Sequence, residues 1–270
     1  MPGCSRAGKM QMFKRLLVAA YGLLCYAVFF ATYLYAVGFV GNLFVPRTID
    51  GPPAGNLVAG VVVDLVLLLA FALQHSVMAR SGFKRWITRS IPEAAERSTY
   101  VLASSLALIA LFAFWRPLGG VVWSVQDPVG VAVLYALFAG GWLLVLVTTF
   151  LINHFDLFGL RQVWFYLLGK PYQPIGFRTP SLYRVVRHPL YVGWLFAFWA
   201  TPTMTVTHLL FAVATTGYIL IAIQLEERDL IASIGETYRE YRERVPMLIP
   251  FTRGPGRRDV LGRRRASRAA

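Results

Sequence analysis

Long apolar runs, each closed by a cluster of Lys and Arg or by a turn-forming stretch of Gly and Pro, set the pattern of this chain. A helix needs about 20 apolar residues to cross a bilayer. Residues 16–44 (overlong), 57–78, 98–121 and 129–151 reach that length. Two shorter runs follow: 190–206, interrupted by Pro202, and 209–225, close enough to it to read as a tight helical hairpin. The pattern predicts an all-α, polytopic membrane helix bundle of five to six spans ending in that hairpin. Its boundaries divide the chain into a basic leader at 1–15, a four-span bundle at 16–152, a region carrying the hairpin at 153–251, and a disordered basic tail at 252–270.

Composition agrees with lipid as the solvent. Of the 270 residues 57% are hydrophobic and 15% charged, against roughly 25% charged in soluble domains, and the mean hydropathy is +0.55. The net charge of +14 does not point to nucleic acid, because the basic residues lie between apolar runs and in the tail rather than on a folded surface. The first run exceeds a signal-peptide core of roughly 7–15 residues, so it reads as a retained span. Two cysteines, Cys4 and Cys25, form neither a disulfide framework nor a metal site. Lys and Arg concentrate in the leader, in 80–97, in 161–187 and in the tail, while the loops at 46–55 and 116–127 carry one Arg each. By the positive-inside rule both termini face the cytoplasm.

On this topology the conspicuous polar residues fall at one membrane face. His75 sits one turn inside the end of the second span, Glu96 and Arg97 open the third, and His154 and Asp156 close the fourth. Arg187 and His188 open the fifth, and Glu226 and Glu227 close the sixth. Each alone is a tolerable helix-end charge; together they predict a polar pocket facing the cytoplasm. Asp64, near the outer end of the second span, reads as an external capping or interhelical residue, and His208 falls at the opposite face from the other histidines. The histidines stand alone rather than at ligand spacings such as His-Glu-x-x-His, so no metal is assigned, although His154, Asp156, His188 and Glu226 form a conceivable donor set. The segment from His154 to Gly169 mixes aromatic and polar residues, as an interfacial amphipathic helix does, and as a pocket wall also would. There is no glycine-rich nucleotide loop.

The motif Arg187-His-Pro-Leu-Tyr-Val-Gly-Trp is followed by the hairpin, then Glu226-Glu-Arg-Asp-Leu, Gly235-Glu-Thr-Tyr-Arg-Glu-Tyr and Val245-Pro-Met-Leu-Ile-Pro-Phe. This order resembles the isoprenylcysteine carboxyl methyltransferase superfamily of membrane enzymes. Upstream, Gln74-His-Ser-Val-Met-Ala-Arg, Glu96-Arg-Ser-Thr-Tyr and His154-Phe-Asp-Leu-Phe-Gly-Leu-Arg-Gln resemble the bacterial methanethiol S-methyltransferases, and the first two also occur in NnrU-like membrane proteins. The resemblance runs from about residue 57 to 251. It implies an enzyme of the bacterial cytoplasmic membrane that transfers a methyl group from S-adenosylmethionine to methanethiol, giving dimethyl sulfide at the cytoplasmic face. It assigns Arg187, His188, Pro189 and Tyr191 to the cofactor carboxylate and its surroundings, Glu226 or Glu227 to the ammonium or ribose, and Arg161 and Gln162 to further cofactor contacts.

A thiol must lose a proton to attack a sulfonium methyl, and a reference thiol has a pKa of about 8.5, so a base is useful. His154 is the first candidate, with Asp156 orienting it; His75 and Arg97 are the second, as stabilisers of thiolate. Two alternatives stay open: a larger lipophilic thiol, prenylcysteine carboxylate or lipid amine as substrate, and a non-catalytic NnrU-like protein. Thr179-Pro-Ser-Leu-Tyr departs from the glycine-containing turn of the prenylcysteine enzymes, which counts against a protein substrate.

Overall fold

The computed structural model of the chain describes residues 3–53 and 55–252, with side chains from residue 8. The tail expected over 252–270 therefore lies, beyond Thr252, outside the described residues. Among the described residues, five helices are long and apolar enough to cross a membrane: α1 (Gly3–Gly41), α2 (Leu57–Met78), α4 (Glu93–Phe114), α5 (Pro128–Ile152) and α9 (Val206–Ile234). Between them lie α3 (Ser81–Ile87), α6 (His154–Leu157), α7 (Leu160–Leu167) and α8 (Pro189–Trp199), and α10 (Glu236–Arg244) follows. Two short strands, β1 (Val121–Ser124) and β2 (Thr203–Thr205), pair antiparallel with an irregularity between Val121 and Trp123.

The helix limits have local causes. α1 takes in the basic leader and stops where Asn42 turns left-handed, at φ 56°. α4 begins five residues before the apolar run, behind Pro92, with Glu93 and Glu96 in its first turn, where acidic side chains favour the helix dipole. It ends at Phe114, short of Pro117, Gly119 and Gly120. The first partner of the hairpin, α8, has 11 residues and rises about 16 Å at about 1.5 Å per residue, half of the roughly 30 Å hydrocarbon core. Pro202 cannot continue it, lacking an N–H and disfavouring helix at the residue before. Of the five to six spans expected, five have the length.

The contacts divide the chain into two compact units. The first comprises residues 3–131, 153–176 and 201–211. In it α4 packs on α1 and α2, and α7 packs on α1 and α4; Gly22 of α1 admits Val163 of α7, whose methyl lies 2.8 Å from where a Cβ would stand. Asp64, fully buried, accepts the backbone N–H of Arg116 at 2.9 Å, a bond from α2 to the loop after α4 rather than to another helix. In the loop after α1, Asp50 accepts from the Asn42 amide at 2.7 Å and lies 3.2 Å from His208 Nδ1.

The second unit comprises residues 132–152, 177–200 and 212–252. α5 and α8 cross at Gly141 and Gly193, where a Cβ on Gly141 would lie 2.7 Å from the Ala197 nitrogen and one on Gly193 2.9 Å from the Gly141 oxygen. Trp142 and Trp194 meet edge to face beside this crossing, and Trp199 Nε1 donates to Thr216 on α9 at 2.9 Å. Tyr238 and Tyr241 of α10 are buried against Leu230, Ile231 and Ile234. The chain after α10 then returns alongside the start of α8, with Arg187 N–H donating to Pro246 O and His188 N–H to Met247 O.

Candidate active site

In the second unit the polar groups gather at the start of α8. Pro189 occupies its first turn, its ring preset for a helix, and His188 immediately before it is held out of helical geometry at φ −127°. On α9, Glu226 and Glu227 are separated by about 100° around the helix, so they cannot face the same way. Glu227 is buried and Glu226 is 48% exposed in its side chain. Arg187 Nε donates to Glu227 Oε1 at 2.7 Å, and His188 Nε2 lies 3.1 Å from the same oxygen. The Arg187 guanidinium also donates to the carbonyls of Arg242 and Val245. Tyr191 donates to Glu226 Oε2 at 3.2 Å. Arg242, missed in the sequence, brings a side chain 41% exposed to 3.8 Å from Glu227 Oε2; its signal was the charged, tyrosine-flanked segment after Gly235. Charges that composition alone would leave as helix-end residues thus form a buried knot, Arg187–Glu227–His188, with a half-exposed rim of Glu226, Tyr191 and Arg242.

In the first unit the second set of candidates surrounds α6. Asn153 caps this short helix, its side chain accepting from the Asp156 N–H. His154 is 2% exposed, and its Nε2 lies 2.8 Å from the Tyr26 hydroxyl. The rings of Phe158 and Tyr26 lie 4.8 and 5.6 Å from it. Burial pushes its pKa below the ordinary histidine value, favouring the uncharged imidazole. The Asp156 carboxylate is directed elsewhere: it accepts from Tyr172 at 2.7 Å and from Arg161 at 3.2 Å. Arg161 lies over the rings of Phe165 and Tyr172, and Gln162 donates to the Asp156 carbonyl, so both brace this turn. Burial and the neighbouring carboxylate push Tyr172 up to about 12.

Arg97 and His75 join the same unit through α4. Arg97 Nε donates to the Leu157 carbonyl at 2.9 Å, closing the open end of α6, and its guanidinium lies over the Tyr100 ring. Tyr100 OH is 2.8 Å from His75 Nε2, and Ser104 is 3.2 Å from His75 Nδ1. Gly159, at φ +88°, follows α6 so close to α4 that a Cβ would lie 2.6 Å from Ser98 Oγ; only glycine meets both demands. Among the described residues no three His, Cys, Asp or Glu side chains gather as a metal site. The sequence missed Tyr26, whose available signal was a tyrosine placed inside a span, where a hydroxyl needs a partner.

No protein-family profile matches the chain, and no solved structure matches it. Among curated proteins it is 58% identical to the methanethiol S-methyltransferase of Crocosphaera subtropica, covering 88% of this chain and 93% of that one. It is 56% identical to the methanethiol S-methyltransferase of Mycobacterium tuberculosis, over 88% of this chain and 98% of that one. Nurim of Rattus norvegicus is 33% identical over 65% of this chain and 70% of its own. Five spanning-length helices make the chain a multi-pass membrane protein, and identity of this extent shows that it belongs to the methanethiol S-methyltransferase family.

Proposed function

We propose that the protein methylates methanethiol to dimethyl sulfide with S-adenosylmethionine as the methyl donor. The observation that carries the reading is identity over most of the chain to proteins named for that reaction. The donor's zwitterionic aminoacyl end needs an anion for its ammonium and a cation for its carboxylate. The rim of the second unit offers both, in half-exposed Glu226 and Arg242. Arg187, His188 and Glu227, already bonded to one another, hold that rim in place with Pro189, and Tyr191 steadies Glu226. When bound, S-adenosylmethionine supplies an electrophilic methyl on a sulfonium.

In the first unit, His154 accepts the thiol proton. It is neutral and buried, and general bases typically contribute about 10²–10⁴ in rate. Arg97 and the Asp156–Arg161 pair fix the helix that carries it, and His75, bonded to Tyr100, stiffens α4 behind Arg97. The basic segments at 80–97 and 161–187 support a cytoplasmic orientation for both termini by the positive-inside rule.

The test is headspace dimethyl sulfide from purified protein given methanethiol and S-adenosylmethionine, beside longer thiols and a lipid extract. Dimethyl sulfide formed at a rate above that of the longer thiols is expected. Methylation confined to the lipid extract would replace the substrate.

A further inference from the structure

We propose that the Tyr26 hydroxyl carries the substrate's proton to His154, so that Tyr26 and not the imidazole touches the thiol. The inference rests on His154 being the base. His154 is 2% exposed, which leaves a thiol no free surface on the ring to approach. Its Nε2 is already engaged by the Tyr26 hydroxyl at 2.8 Å. Tyr26, by contrast, is half-buried, and in the proposed relay its oxygen meets the imidazole on one side and the thiol on another.

The surroundings separate what the ring of Tyr26 does from what its hydroxyl does. Phe29 and Phe158 stack at 3.8 Å, and Tyr26 packs near Phe158 and Phe30. Phenylalanine would serve this aromatic packing equally well, as it does at positions 29 and 30. A hydroxyl inside a spanning helix costs free energy unless it is bonded. Here it is bonded to the one buried histidine of the α6 turn. Aromatic ring edges also make favourable contacts with sulfur, which suits a ligand that is little more than a sulfur and a methyl group.

The proton balance is closed. The thiol S–H bond breaks and its proton goes to the Tyr26 oxygen, while the proton Tyr26 held goes to His154 Nε2. A thiolate, a neutral phenol and an imidazolium result, and the imidazolium releases its proton to water once the thiolate has been methylated. Phenols and alkanethiols are acids of similar strength, about 10 against about 8.5 or somewhat higher, so the phenol neither traps the proton nor blocks its passage.

Tyr26→Phe keeps the ring and removes the relay. Assayed for dimethyl sulfide from methanethiol and S-adenosylmethionine, it should turn over about 10²-fold more slowly at neutral pH and approach the native rate as rising pH ionises the thiol. His154→Ala should fall by a similar factor, and the double variant no further than either. Incorporating 3,5-difluorotyrosine at position 26 retains the hydroxyl and the packing but acidifies the phenol, and should shift the pH–rate profile, which a purely structural role would leave in place. Without any donor present, ¹⁵N-histidine spectra should show the Nε2 signal of His154 moving in Tyr26→Phe. Tyr26→Phe within about twofold of the native rate at neutral pH, beside a slow His154→Ala, would overturn the relay alone, as would an unmoved profile with difluorotyrosine. A His154→Ala that keeps full rate removes the base and the relay with it, and a native protein that makes no dimethyl sulfide removes the substrate reading instead.

Discussion

Glu226 and Glu227 differ by one position in the chain, yet one helical step gives them opposite surroundings. Breaking a buried ion pair leaves an uncompensated charge and costs about 3–5 kcal/mol, so Glu227→Ala should lower the unfolding temperature of the detergent-solubilised protein sharply. Glu226→Gln should melt like the native protein but lose about 1.5–3 kcal/mol of S-adenosylmethionine binding, read by calorimetry; equal melting losses in both would remove the distinction. His154 gives the pH dependence its sign. Its folded pKa lies below the ordinary value of about 6.5 because burial disfavours the imidazolium. Between those two values the unfolded chain binds more protons, so its share of stability is complete above about pH 6.5 and is lost as pH falls toward the folded pKa. The acidic limb of the rate profile should therefore lie below about pH 6.5, and a limb above it would show that another group titrates. The sequence pointed to His154 and Asp156 as one device, but two residues turn a helix by about 200°, and their side chains part company toward Tyr26 and toward Arg161 with Tyr172. Tyr26 lies 128 positions from His154, a pairing that no local pattern announces.

At the scale of elements, the apolar runs located every spanning helix because length and hydropathy are properties of one segment. Their ends were less legible, since caps and prolines decide them: α4 reaches back to Glu93, into residues that read as a charged loop. The strand pair β1–β2 was invisible, its partners lying about 80 residues apart with no alternating pattern of their own. The crossing of α5 and α8 depends on two glycines whose significance appears only in three dimensions. Gly141→Leu should drive a side chain into the α8 backbone at Ala197 and Gly193, where the obstruction is main chain and cannot rotate away. Overpacking of this kind costs typically about 1–3 kcal/mol. The variant should melt at lower temperature, whereas Gly140→Leu, one position along with open space around it, should not.

For the whole molecule, the excess of apolar residues and the placement of Lys and Arg made the membrane and the proposed orientation readable, because both are sums over many residues. A reporter fused at Gly51 should be found outside the cytoplasm and one fused at the C-terminus inside it; the same location for both would overturn the orientation. The short α8 has a further consequence. A membrane of ordinary thickness cannot be spanned by 11 residues, so a crossing at α8 would require lipid to pinch inward or water to reach down to the Arg187–His188 turn. Thin bilayers meet that demand at lower elastic cost than thick ones. In vesicles of graded acyl-chain length the reaction should run fastest in the shorter lipids and slow as the chains lengthen, making bilayer thickness itself a control on turnover.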